Sequence, residues 1–351
     1  MKVLQVGLGG FGRNHLDAWA RLGMADCLYV ADLRSEASGL LRRYQIPPVR
    51  FTSDYTNFLG EVDVVDVVTP SDSHFPLCRE ALEAGKDVFV EKPITVKTEE
   101  AISLASVVEK TGRVLQVGYY YRFHPISRFI KEQIDSGALG EIRYVAGNFL
   151  GFKRARNDVG VTHTDAIHFL DLYNWFLGPA KCVLASVVRD HFGRGLEDTS
   201  LVVLEYPGGA IGRVESGYIQ PGRWNDKVVP NAMTTKDLWI MGSKATIVAD
   251  FEVEEVTVHD VRHELRGGTW TAVRGAGRSP VVGAASPLDQ VCLELEAFLD
   301  SVRTREPPAA GATNSGVHLA KIMDAIYESN RQRRAIPLQP EGDCRRTGLV
   351  T

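Results

Sequence analysis

The sequence predicts an α/β chain in two parts. Strands alternate with helices up to about residue 122, and an α+β part with a largely antiparallel sheet follows. Three observations carry this. A glycine-rich loop, Gly7-Leu8-Gly9-Gly10-Phe11-Gly12, lies between an apolar strand and a helix. Apolar, β-branched runs recur through the first third with helical stretches between them, the pattern of βαβ units and a parallel sheet. Beyond residue 122, long strands succeed one another with turns such as Pro207-Gly208-Gly209 between them.

The elements follow in order. Val3–Val6 reads as a strand, and the stretch from Asn14 to Leu22 as a helix. Cys27–Ala31 is a strand ending at Asp32. Val62–Val68 is a β-branched strand closed by Thr69-Pro70-Ser71. A helix from about His74 stops before Gly85, and Asp87–Val90 is a strand followed by Glu91-Lys92-Pro93. Thr98–Thr111 reads as a helix stopped at Gly112, and Val114–Val117 closes the series. Then come a helix over Pro125–Asp135, a strand over Glu141–Phe149 and a helix from Thr162 to Gly178. Strands are expected at Lys181–Val188, Thr199–Tyr206, Ala210–Tyr218, Asp237–Met241, Ala245–Asp250 and Val256–Asp260. Gly267 to Ala285, rich in Gly, Arg and Ser, reads as a loop. Helices over Pro287–Thr304 and Gly316–Arg333 end the pattern. The expected domains are residues 1–122 and 123–340, with 341–351 as a loose tail.

Each glycine of the first loop has a reason. Gly7 permits the tight turn, Gly9 lets backbone N–H groups approach a pyrophosphate, and Gly12 lets helix and strand pack closely. The helix N-terminus then faces the phosphates. Asp32-Leu33-Arg34 follows the second strand, and Asp32 stands twenty residues after Gly12, where a carboxylate accepts from the adenosine ribose. A carboxylate there repels a 2′-phosphate, which favours NAD over NADP. Arg34 keeps NADP as the second option. Strand ends are where such sheets bind ligands, and Gly7–Gly12, Asp32, Thr69, Pro70 with nearby His74, Glu91, Lys92 and Gly118–Arg122 are all at or near such ends.

Composition excludes several classes. Across 351 residues, 44% are hydrophobic and 24% charged, as in an ordinary globular protein, and the net charge of −4 gives no support to nucleic-acid binding. No apolar run reaches a membrane span, and with the first strand starting at once no signal peptide is expected. Five scattered cysteines without a CxxC pair suit a reducing cytoplasm, and no His/Cys cluster has zinc spacing, so no metal is expected.

Three constellations carry chemistry. Lys92, between a strand end and Pro93, reads either as a surface lysine in a turn or as a cation on a substrate oxygen during hydride transfer. On the helix from Thr162, Thr164, His168, Asp171 and Trp175 share a face, and Asp165 is three residues before His168. His168 is either a locally bonded histidine or the base for a hydroxyl proton. Lys153, Arg154 and Arg156 are either a solvated loop or an anion site for a phosphorylated substrate. Tyr119 and Arg122 follow the last strand of the first part and are further substrate candidates; His163, Tyr218 and Trp224 are weaker ones, each also readable as a core or loop residue.

These pieces together resemble the glucose–fructose oxidoreductase and inositol 2-dehydrogenase (Gfo/Idh/MocA) family. The resemblance rests on Gly7–Gly12, Val67-Val68-Thr69-Pro70 with His74, Glu91-Lys92-Pro93, Arg122-Phe123-His124-Pro125, Gly137–Gly140, His168-Phe169-Leu170-Asp171 and Met241–Ala245. It implies an N-terminal Rossmann domain and a C-terminal domain whose open sheet makes a homodimer or homotetramer. It also implies that Lys92 and His168 flank the substrate, with the nicotinamide between the domains. Polyol-oxidising relatives often carry an aspartate four residues before this histidine, where Thr164 stands here, so Asp165 either replaces it or the relay is absent, and Lys92 is a co-equal candidate for the proton transfer. The expected function is a cytoplasmic, NAD-dependent oxidoreductase acting on a secondary alcohol of a sugar, nucleotide sugar or inositol-like polyol. The alternatives are a lyase or glycoside hydrolase with tightly bound NAD, or a non-catalytic dinucleotide-binding regulator.

Overall fold

The computed structural model describes residues 1–338, so the expected tail at 341–351 lies outside the described residues. In chain order the elements are β1 (Val3–Val6), α1 (Gly10–Arg21), β2 (Leu28–Ala31), β3 (Phe51–Thr52), α2 (Thr56–Leu59), β4 (Val64–Val67), α3 (His74–Glu83), β5 (Asp87–Glu91), α4 (Thr98–Thr111), β6 (Leu115–Gly118), α5 (Pro125–Asp135) and β7 (Ile142–Phe152). There follow α6 (Ile167–Leu177), β8 (Cys182–Arg189), β9 (Glu197–Glu205), β10 (Ile211–Gly217), β11 (Trp224–Asn225), β12 (Met233–Gly242), β13 (Thr246–Asp250), β14 (Glu255–His259), β15 (Val261–Arg266), β16 (Thr269–Arg274), α7 (Pro287–Thr304), α8 (Thr313–Gln332) and β17 (Ile336–Pro337). They form two compact units, one of residues 1–123 and 285–320, the other of residues 124–284 with the described residues from 321 on.

The first unit holds a six-stranded sheet in the order β3-β2-β1-β4-β5-β6. Every pair in it is parallel. The order reverses between β1 and β4, the switch point beyond whose carboxyl ends ligands bind in such sheets. β1, β2, β4, β5 and β6 are buried along their whole length, which explains their unbroken apolar character. Chain position assigns α7 to the second domain, but the helix belongs to this core. Val291, Leu295, Phe298 and Val302 pack with Leu16 and Trp19 of α1 and Phe89 of β5. Phe89 and Phe298 meet edge to face at 5.7 Å. Burying each such side chain contributes about 1.5–3 kcal/mol relative to exposure. Ser286 and Asp289 form a capping box at the start of α7, with Pro287 in the first turn.

The second unit holds a nine-stranded sheet in the order β14-β13-β12-β7-β10-β9-β8-β17, with β11 paired to β12. It is antiparallel except for the β10–β7 pair, which is parallel. Helix α6 lies close on β7 because Gly147 has no side chain. A Cβ there would stand 2.6 Å from the Phe169 ring and from the Tyr173 hydroxyl. Tyr173 donates from its hydroxyl to the Arg213 carbonyl at 2.9 Å.

Two further expectations need correction. The segment 267–285 is not a loop throughout: residues 269–274 form β16, which pairs with β15 across the Gly267-Gly268 turn. The β-branched and aromatic run Thr269-Trp270-Thr271-Ala272-Val273 outweighs the flanking glycines. The helix from Thr162 is not uniform either, because residues 162–166 form a π turn before α6 begins. That turn adds a residue to the first revolution, so the side chains before His168 leave the face that a regular helix gives them.

Candidate functional site

In the first unit the site grows from the end of β1. Gly7 has φ +105°, and a Cβ on it would stand 2.4 Å from the Val68 carbonyl oxygen. A Cβ on Gly12 would stand 2.3 Å from the Gly7 carbonyl oxygen. Neither position accepts another residue without breaking the loop. Gly9 and Gly10 are the opposite case, with nothing within 4 Å of an added Cβ. The space before the start of α1 is open, as a pyrophosphate needs, and Gly10-Phe11-Gly12 make the helix's first turn with their N–H groups outward. Gln5 braces the loop from inside, donating to the Gly7 and Gly12 carbonyls at 2.9 and 2.7 Å.

Asp32, at the end of β2, accepts the Leu8 N–H at 2.7 Å and both arms of the Arg34 guanidinium at 2.9 Å. Burial works against its charge, but the Arg34 side chain and the two backbone N–H groups prevail and hold its carboxyl below the usual range. Leu33 projects into solvent and makes no part of this network. A cofactor phosphate on the ribose would face a committed carboxylate. Replacing Asp32 by Ser removes that charge and releases Arg34 toward a phosphate. The ratio of NADP-linked to NAD-linked kcat/KM is expected to rise roughly 10–100-fold. Steady-state kinetics with both nucleotides check this, and an unchanged ratio excludes Asp32 as the discriminator.

Thr69 and Pro70 follow β4, and His74 opens α3. The His74 ring lies between the Thr69 carbonyl, 3.0 Å from Nε2, and the Pro93 carbonyl, 2.7 Å from Nδ1. It therefore joins the loops after β4 and β5. The Lys92–Pro93 peptide is cis. Glu91 is buried at the end of β5 and accepts the Lys92 backbone N–H at 3.2 Å. Its other oxygen faces His15 of α1, 3.3 Å from Nε2, whose Nδ1 is 2.9 Å from Asp66 of β4. Trp19 donates to the same Asp66 carboxylate at 2.7 Å. Sequence reasoning missed His15 and Asp66. The one local signal is a histidine a turn beyond Gly12. Tyr119 and Arg122 follow β6; both are buried, with the guanidinium 5.8 Å from the Tyr119 ring centre.

In the second unit, His168 is buried on α6 and its ring stacks on Phe149 of β7 at 5.8 Å and 21°. Asp165 is paired with Lys153 at 2.7 Å, the two side chains 8% and 5% exposed. Lys153 also stands 4.6 Å from the Phe149 ring centre. Thr164 shares a hydrogen bond with the Tyr218 hydroxyl. Burial and the nearby Asp165 carboxylate hold that phenol well above its ordinary pKa, so it stays protonated. Lys236, in register with Phe149, stands 5.1 Å from the ring and pairs with Asp226 at 2.9 Å. Tyr218 was among the weaker candidates; Phe149 and Lys236 were not foreseen as site neighbours.

The expected basic cluster separates. Lys153 turns inward to Asp165, Arg156 pairs with Asp158, and Arg154 is exposed. With two of the three cations already matched to carboxylates, this segment is not a preformed phosphate cradle. His163 is engaged elsewhere, its Nδ1 3.0 Å from the Tyr327 hydroxyl, which donates to Glu197 at 2.8 Å. Among the described residues, no group of three or more His, Cys, Asp or Glu side chains has the arrangement of a metal site.

Known proteins match both halves of the chain. Residues 1–119 match the model of an oxidoreductase family with an NAD-binding Rossmann fold. Residues 131–338 match that family's C-terminal alpha/beta domain. Similar proteins include D-apiose dehydrogenase of Paraburkholderia graminis, 24% identical over 95% of this chain and 88% of its own. Another is scyllo-inositol 2-dehydrogenase (NAD(+)) of Bacillus subtilis, 25% identical over 82% of this chain and 80% of its own. Among solved structures, levoglucosan dehydrogenase in complex with NADH and levoglucosan superposes with a TM-score of 0.80 at 22% identity, covering 96% of this chain and 99% of that one. An NAD binding oxidoreductase from Klebsiella pneumoniae gives 0.79 at 19% identity, covering 97% and 99%. With both its domains matched and its glycine loop open for a pyrophosphate, the chain belongs to the Gfo/Idh/MocA family of NAD-binding oxidoreductases.

Proposed function

We propose that this oxidoreductase acts on a secondary alcohol of a sugar, nucleotide sugar or inositol-like polyol, with Lys92 and His168 handling the substrate's oxygen and proton. The observation that carries the reading is the place of Lys92. It directly follows β5 in the parallel sheet whose β1 loop is open for the dinucleotide. When bound, NAD supplies the hydride acceptor. Gly7 to Gly12 would hold its pyrophosphate and Asp32 its adenosine ribose, with Thr69, Pro70 and His74 along the same edge. The Lys92 ammonium would hold the substrate oxygen and stabilise negative charge developing there. His168 would take the hydroxyl proton. Tyr119, Arg122, Thr164, Asp165 and Lys153 are proposed to bound the substrate, Arg154 and Arg156 having the weakest claim. The names of the relatives support oxidation over a lyase, a glycoside hydrolase or a regulator.

The test is NADH formation from NAD with D-apiose, scyllo-inositol, D-xylose, levoglucosan and UDP-N-acetylglucosamine. Steady NADH accumulation with one of them is expected. Tight NAD binding with no net NADH from any would turn the reading to a cofactor-retaining lyase or a sensor.

Among the described residues no helix is long and apolar enough to cross a membrane. We place the protein in the cytoplasm, where NAD is abundant and scattered thiols persist. We also propose a homodimer or homotetramer through the open sheet. The register puts Leu184, Leu201, Ile211 and Trp239 on one face, each more than a third exposed. A monomer rarely leaves such a patch in water. Sedimentation is expected to show an oligomer that Leu201→Arg with Trp239→Glu converts to monomer; a wild type that sediments as a monomer ends this reading.

A further inference from the structure

The buried network behind Lys92 has work to do beyond packing. His15 is on α1, the helix that starts in the glycine loop, and is fully buried. Its two ring nitrogens face two carboxylates on different strands. Nδ1 is 2.9 Å from Asp66 Oδ2 on β4, and Nε2 is 3.3 Å from Glu91 Oε1 on β5. A carboxylate oxygen only accepts, so a ring bonded to both carries a proton on each nitrogen. Asp66 is further fixed by the Trp19 N–H, which donates to the same Oδ2 at 2.7 Å. Glu91 has its second oxygen on the Lys92 N–H at 3.2 Å. A Cβ on Gly118 would stand 2.6 Å from Glu91 Oε1, so β6 closes over the carboxylate without displacing it. Phe11 and Phe89 hold the imidazole between them, with ring centres at 5.5 and 5.6 Å.

We infer that His15 is a positioning residue: it pins Glu91, Glu91 holds the Lys92 backbone, and the glycine-loop helix and Lys92 are thereby kept in one fixed relation. The inference rests on the role proposed for Lys92. The charged groups facing the ring are Asp66 from β4 and Glu91 from β5. Burial alone would discharge the imidazole, but these two carboxylates prevail and push its pKa up to about 10, so the bridge is intact at neutral pH. Gln at position 15 is uncharged and carries both its N–H donors on one nitrogen, so it does not reproduce the two charge-assisted bonds that leave the imidazolium from separate nitrogens. Glu91 then loses its anchor, and Lys92 gains freedom along the strand end. Misplacement of a catalytic group by about 1 Å costs up to roughly 10²-fold.

The experiment is a cycle of single and double variants, assayed with the compound of the named panel that the wild type oxidises fastest. His15→Gln is expected to lower kcat roughly 10–100-fold, with NADH affinity by fluorescence titration within about threefold of wild type. Glu91→Ala, which leaves the His15–Asp66 pair intact and so the core sound, is expected to lower kcat similarly. In a Lys92→Met background neither change should lower kcat further, because both act through Lys92. Effects that multiply in that background, or a Glu91→Ala enzyme with wild-type kcat, overturn the inference. So does a His15→Gln loss that appears as weakened NADH binding at unchanged kcat. If His15→Gln does not fold, the Glu91→Ala and Lys92→Met pair decides alone. A Lys92→Met enzyme that turns over normally strikes the proposed role of Lys92 instead, and the two failures are thus told apart.

Discussion

Replacing Lys92 by Met is expected to lower kcat with a sugar or polyol by roughly 10²–10⁴-fold while NADH affinity changes little. Methionine keeps the length and most of the apolar stem but removes the ammonium. What is lost is the charge proposed to stabilise oxyanion character on the substrate, at about 1.4 kcal/mol per tenfold in rate. What is kept is the local backbone, because Glu91 accepts the Lys92 main-chain N–H, which any residue there supplies. The glycine loop and Asp32 are untouched, so the dinucleotide should bind as before. Lys92→Arg is a useful companion. It restores the charge in a planar, bulkier form, and partial recovery would favour charge over proton transfer. A Lys92→Met enzyme with ordinary turnover would remove Lys92 from the chemistry altogether.

Much of the fold was legible because local rules and tertiary demands coincide. Glycine at positions 7 and 12 is required by a carbonyl oxygen closer than any Cβ allows. The parallel strands are buried on both faces, so they read as apolar runs. Thr98–Thr111 and Pro287–Thr304 start and stop where Gly112, Ser286 and Pro287 put them. Other features have no local signature. An amphipathic helix does not say which core it joins, and α7 joins the first unit across a long gap in sequence. His15 meets partners 51 and 76 residues away, which nothing in its own helix announces. Lys153 reads as one of three solvated cations until Asp165 is seen beside it. The π turn at 162–166 breaks the helical period on which the face of His168 was drawn. Residues placed by backbone geometry were readable; residues placed by a distant charge were not.

His168→Ala is expected to lower kcat by roughly 10²–10⁴-fold as well, and the neighbouring acid makes the test sharper. Two arrangements could orient the imidazole. In one, Asp165 bonds it directly and raises its basicity. In the other, the ring is held by stacking on Phe149, and Asp165 neutralises Lys153. The distances favour the second, since Asp165 and Lys153 are 2.7 Å apart in a buried pair and His168 lies along the Phe149 ring. The two make opposite predictions for Asp165→Asn. A relay acid would give kinetics close to those of His168→Ala in a protein of nearly normal stability. A counter-ion would leave Lys153 charged and buried without its partner, costing about 3–5 kcal/mol of stability, with a smaller loss in kcat. Thermal unfolding beside steady-state kinetics separates them. The expected result is a large drop in Tm with kcat within roughly tenfold of wild type, and recovery of Tm when Lys153→Met is added, because the pair then leaves together. An Asp165→Asn enzyme that melts like the wild type but turns over like His168→Ala would restore the relay. The substitution of Thr164 for the expected aspartate would then have been answered one residue along, through the extra residue of the π turn.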